Sequence, residues 1–114
     1  MLTRSKLWII ISLHHMKKLT PAHPGKILLE QFIQPLGLTQ YRVAKNAGIP
    51  QPTMTQIVKG RRAVSVENAL RLGLLFGTTA EFWLNLQTDY DLREVRRGKL
   101  KAIEKQVKPL PRAA

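Results

Sequence analysis

Beyond residue 20 the apolar positions recur at three- and four-residue intervals between short polar turns, and no useful stretch alternates in the two-residue rhythm of a strand. The pattern predicts an all-α chain. A first helix opens at Pro24, a good first-turn residue with His23 ahead of it as a cap. It brings Ile27, Leu28, Gln31 and Phe32 toward one face and stops before Pro35 and Gly37. A second has Thr39 as N-cap and spans Gln40 to Asn46, with Val43, Ala44 and Ala47 inward and Gly48 closing it. After a very short turn a third covers Gln51 to Val58, with Pro52 in its first turn, Met54 and Ile57 on the core side and Gly60 as the stop.

Ser65 is the expected cap of a fourth helix, Val66 to Phe76, in which Val66, Ala69, Leu70, Gly73 and Leu74 read as the inward stripe. Thr78 and Glu81 have capping-box spacing for a fifth helix that starts near Thr79 and carries Phe82, Trp83, Leu84, Leu86 and Tyr90. That is more apolar surface than one stripe uses; it is either wrapped by the first and fourth helices or left for a partner. From Arg93 the chain turns basic and loses apolar periodicity, Gly98 reads as a helix end, and Pro109 and Pro111 keep the last residues extended. The resulting division is an N-terminal extension over 1–19, one helical domain over 20–97 and a basic tail over 98–114.

Charge narrows the function. Against 7 acidic residues the chain has 19 basic ones, a net charge of +12 that favours polyanions, with nucleic acid first and an acidic membrane surface or protein second. The apolar run Leu7 to Leu13 is too short to span a bilayer and lacks a small-x-small cleavage site. Translation from Met16 would open MKKLTPAHPG, so residues 1–15 are expected to be upstream sequence or a poorly ordered arm. The absence of cysteine excludes disulfides and points to a cytoplasmic setting. Catalysis is not expected: His14 and His15 lie in the extension, His23 serves as a cap, and the carboxylates are dispersed. Neither a metal site nor a cofactor is indicated.

The informative constellation is Gln40, Ala44, Gly48, Met54 and Ile57, which describes two short helices crossing at a tight turn. With Met54 and Ile57 seated, the third helix leaves Gln51, Pro52, Thr55 and Gln56 on its free face. A glutamine amide there can bond adenine N6 and N7, and Pro or Thr methylenes and methyls can touch a thymine methyl. Gln40, Thr53, Lys59, Arg61 and Arg62 flank that face as candidate phosphate contacts.

These residues resemble the HigA-like antitoxins of the Xre helix-turn-helix superfamily, through HPGKILLEQFIQPLGLTQ (23–40), GIPQPTMTQIVKGRRAVSVENALRL (48–72) and FGTTAEFWLNLQTDYDL (76–92). The resemblance implies a five-helix, lambda-repressor-like domain that binds double-stranded operator DNA as a homodimer. It also implies base reading by Gln51, Pro52, Thr55 and Gln56, phosphate contacts from Gln40, Thr53, Lys59 and Arg61, and a small basic ribonuclease toxin of the RelE/HigB-like class as partner. A solitary Xre repressor without a toxin partner is the alternative. Three positions depart from the pattern. Pro50 stands where Ser or Thr usually caps the third helix, Met54 where Ile or Val is commoner, and Arg42 where an acidic residue often completes a capping box.

Overall fold

The computed structural model describes residues 22–112; the expectation for residues 1–19 lies outside them. Every regular element among the described residues is helical: α1 (Pro24–Ile27, continued by a π-helical stretch Leu28–Ile33), α2 (Gln40–Ala47), α3 (Gln51–Val58), α4 (Val66–Phe76), α5 (Ala80–Gly98) and α6 (Leu100–Gln106).

α1 begins as its sequence predicts, with Pro24 in the first turn and His23 Nδ1 accepting the Gly25 N–H at 2.9 Å. It then widens, and Gln34 N–H reaches back five residues to the Leu29 carbonyl at 2.9 Å. The wider turn swings Leu28, Phe32 and Ile33 onto one buried side, leaving Gln31 half-buried. Thr39 caps α2 by accepting from Arg42 N–H at 3.1 Å, and Gly48 closes that helix at φ 71°, a left-handed conformation that a side chain would strain. Val43, Ala44, Ala47, Met54 and Ile57 are buried as expected.

α4 is rotated from the expected register. Val66, Leu70 and Leu74 are exposed, Leu74 to 86%, whereas Ala69, Leu72, Gly73 and Phe76 face the core. Both sets fit a 3.6-residue period. The second wins because it packs the Phe76 ring against Phe32 and Trp83, at centroid distances of 5.0 and 6.3 Å. Around that cluster α5 supplies Trp83, fully buried, and Phe82, whose ring stands edge-on to Trp83 at 5.0 Å. The surplus apolar surface of α5 is thus largely wrapped by α1 and α4.

The capping box expected from Thr78 is also corrected. Thr79 is the N-cap, accepting from Phe82 N–H at 3.1 Å, because Thr78 Oγ1 serves as acceptor for the buried Trp83 indole N–H at 2.9 Å. α5 ends at Gly98, as expected, but the tail beyond it is not extended throughout: α6 follows, exposed along its length.

One polar side chain holds the loop before α4. Gln87 is 6% exposed; its Oε1 accepts from Val64 N–H at 2.8 Å and its Nε2 donates to Asp91 at 2.9 Å. Replacing it with alanine leaves the Val64 N–H buried without an acceptor, at a cost of about 1–3 kcal/mol. Urea denaturation of Gln87→Ala is expected to show that loss with an unchanged m-value; a midpoint equal to wild type would rule it out.

Candidate nucleic-acid interface

α3 is positioned from both sides. Beneath it, α1 passes so close that a Cβ on Gly25 would fall inside the Ile57 carbonyl group, with Val58 Cα at 3.0 Å. Only glycine permits that approach. At the other end, the left-handed Gly48 and the buried Ile49 turn the chain from α2 into Pro50. Pro50 makes no side-chain cap, in line with its departure from the usual Ser or Thr. Arg71 of α4 donates to the Ala47 carbonyl at 3.2 Å and ties the end of α2 to the scaffold.

With Met54 and Ile57 at 0% exposure, the opposite side of α3 presents Gln51, Pro52, Thr55 and Gln56 together. Gln51 and Pro52 are exposed in the first turn, and Thr55 and Gln56 are half-buried one turn later. None of the four bears a charge, and each glutamine amide offers a donor and an acceptor to a partner. Lys59, Arg61 and Arg62 are exposed on the turn that follows, where Gly60 N–H and Arg61 N–H return to the Ile57 and Gln56 carbonyls at 3.0 and 2.9 Å. Among the described residues none of these three cations has a carboxylate partner. Arg62 approaches the half-buried Thr53 hydroxyl, with Nη1 to Oγ1 at 3.4 Å. Gln40 lies on the other helix of the pair, half-buried in the first turn of α2.

His23 does more than cap α1. Its ring stands edge-on to Tyr90 of α5 at 5.0 Å, and a Cβ on Gly60 would lie 3.5 Å from it. Its Nδ1 is taken up by the Gly25 N–H, and the Arg62 backbone lies near the ring. Burial holds this imidazole below its ordinary value of 6.5, against smaller opposing effects from Asp91 and the Arg62 hydrogen bond. The contributions of Tyr90, Gln87 and Arg71 are not marked in the sequence: Gln87 follows Asn85 as one more polar position of FWLNLQ, and the partners of Gln87 and Arg71 are distant along the chain.

Two short helices joined by a left-handed glycine turn, the second seated by its apolar side and open on its polar side, define a helix-turn-helix protein. A family model described as helix-turn-helix matches residues 29–83. Virulence-associated protein I of Dichelobacter nodosus is 39% identical over 77 residues, 68% of this chain and 71% of that one. Antitoxin HigA-1 of Vibrio cholerae is 32% identical over 93 residues, 82% of this chain and 87% of that one. The Pseudomonas aeruginosa antitoxin HigA, solved with the higBA promoter, superposes with a TM-score of 0.76 at 36% identity, covering 81% of this chain and all of that one. The chain belongs to the Xre-type helix-turn-helix family that includes the HigA antitoxins. No helix among the described residues is long and apolar enough to cross a membrane.

The His23 environment sets a pH dependence. The folded state favours the neutral ring, so over the interval between its folded value and 6.5 the unfolded chain binds more protons. The stability this contributes is complete above 6.5 and is lost as pH falls through the folded value. His23→Asn keeps a capping oxygen and cannot titrate, and it isolates this ring from His14 and His15. Thermal melts at stepped pH are expected to fall less steeply below 6.5 for the variant than for wild type; parallel curves would remove His23 from the account.

Proposed function

We propose that the protein is a cytoplasmic, sequence-specific DNA-binding antitoxin that represses its own operon and neutralises a small basic ribonuclease toxin of the RelE/HigB-like class. Residues 20–97 are its DNA-binding unit, and it acts by binding, not by catalysis. The observation that carries the reading is the free face of α3, where four uncharged side chains stand together on a rigidly seated helix beside three cations that have no carboxylate partner among the described residues. Gln51, Pro52, Thr55 and Gln56 read base edges in the major groove. Gln40, Thr53, Lys59, Arg61 and Arg62 hold phosphates and set the register.

Two copies bind a palindrome whose half-sites are about one helical turn, ~34 Å, apart. Exposed Val66, Leu70 and Leu74 on α4, and Leu92 and Val95 on α5, offer apolar surface for the second copy. Support for the operator comes from the P. aeruginosa HigA relative, solved with promoter DNA. Support for the toxin comes from the kinship with V. cholerae antitoxin HigA-1.

Gel-shift titration against DNA from the protein's own upstream region, with a random duplex as competitor, tests the DNA half. Gln51→Ala and Gln56→Ala are each expected to lose about 1–3 kcal/mol of discrimination, roughly tenfold to a hundredfold, if the amide makes a bidentate base contact. A wild type with no preference over random DNA would overturn the reading. For the toxin half, co-expression with the product of the neighbouring reading frame is expected to relieve growth arrest by that product; persistent arrest with no co-purification would overturn it.

A further inference from the structure

We propose that the C-terminal arm, residues 93–112, is a second phosphate-binding surface that extends the cationic turn behind α3 along the backbone of the bound duplex. This rests on the DNA-binding reading above. Four observations lead to it.

The arm starts beside the turn. Tyr90 of α5 packs on one side of the His23 ring, while Gly60 and the Arg62 backbone meet the same ring from the turn that follows α3. One imidazole therefore separates the start of the arm from Lys59, Arg61 and Arg62. The arm also continues in the right register. Arg93 and Arg97 follow Tyr90 at i+3 and i+7, on the same side of α5, roughly 4.5 and 10.5 Å farther along the axis at 1.5 Å per residue. Leu92 and Val95 lie on other sides of the helix, so the cationic side and the apolar surface for a second copy do not compete.

Its charge is dense and uncompensated. Residues 93–112 hold eight basic side chains and two acidic ones. Among the described residues only Arg97 of those eight has a carboxylate partner, Glu94 at 3.4 Å, and a pair that exposed contributes little. Finally, the charge is carried on ordered backbone: α5 runs to Gly98, and α6 displays Lys101 and Lys105 one turn apart. Like charges held on a helix repel one another unless a polyanion neutralises them, and a duplex offers phosphates at matching scale with release of counterions. An anionic membrane surface is a poorer match, because α6 has seven residues and its apolar side consists of little more than Leu100 and Ile103.

Fluorescence anisotropy with the full chain tests the arm. Wild type is compared with a variant carrying Arg93→Gln, Arg97→Gln, Lys101→Gln and Lys105→Gln, on a labelled upstream duplex and on a random duplex of equal length, across KCl concentrations. All four positions are exposed, and coincident thermal melts check that the variant folds. The salt dependence of the binding constant is expected to become shallower by about 0.9 for each phosphate that is no longer neutralised, roughly two to four in slope, on both duplexes. Arg93→Lys with Arg97→Lys is expected to keep the slope. An unchanged slope in the glutamine variant overturns the proposal. So does binding to phosphatidylserine-containing vesicles that needs these four residues while the DNA slope stays fixed. Loss of preference for the upstream duplex in wild type would overturn base reading by α3 alone, since a shallower slope on random DNA would still uphold the arm.

Discussion

The backbone contact between Gly25 and Ile57 is the constraint on which the rest depends. Because no side chain intervenes, α1 acts as a hard floor under the recognition helix and fixes its height above the core to the precision of atomic packing. His23 then joins this contact to two other parts of the molecule. Its Nδ1 accepts from the Gly25 N–H, its ring lies against Gly60 in the turn after α3, and it makes an edge contact with Tyr90 of α5. The start of α1, the turn after α3 and the last core-facing part of α5 share one imidazole. A displacement of the start of α1 would leave the buried Gly25 N–H unpaired, which costs more than the hydrogen bond itself contributes, and a displacement of the other two would open the packing around the ring.

That arrangement explains why a small domain can present a precise surface. Its core rests on a few aromatic rings, Phe32, Phe76, Phe82 and Trp83, in tilted and edge-on contact. The rings lock α1, α4 and α5 together, while α2 and α3 are attached at their ends by Gly48, Arg71 and Gly25. Side chains on a helix held in this way lose only rotamer freedom when they meet a partner, so their hydrogen bonds convert to discrimination with little ordering cost.

The elements that bear the candidate site were the most legible in the sequence, because each depends on local chemistry. Thr39, Gly48 and the spacing of Met54 and Ile57 determine where α2 and α3 begin, end and face, without reference to distant residues. α4 was less legible because two sets of apolar residues share its period, and the choice is made by a ring from α1 and a ring from α5. The cap of α5 shows the same limit: Thr78 and Thr79 are chemically equivalent in sequence, and the Trp83 indole selects between them. Gln87, Arg71 and Gly25 were invisible as structural residues because their partners, Val64, Ala47 and Ile57, are 23, 24 and 32 positions away and are engaged through backbone atoms. The short helix α6 beyond Gly98 was missed for the opposite reason. It makes little use of burial, so no apolar period announces it.

The distribution of charge follows from the division between reading and holding. Neutral glutamine amides suit the N6 and N7 edge of adenine, where Arg or Lys would instead favour guanine. On α3 the charge is accordingly displaced to the turn that follows, and the larger share of unpaired cations lies farther out still, beyond residue 92. On the proposed reading such charge raises affinity for every duplex alike and leaves discrimination to the four residues on α3. The two functions can then be tuned separately by substitution on α3 and beyond residue 92, whereas Arg61, whose N–H meets the Gln56 carbonyl, is coupled to the reading face.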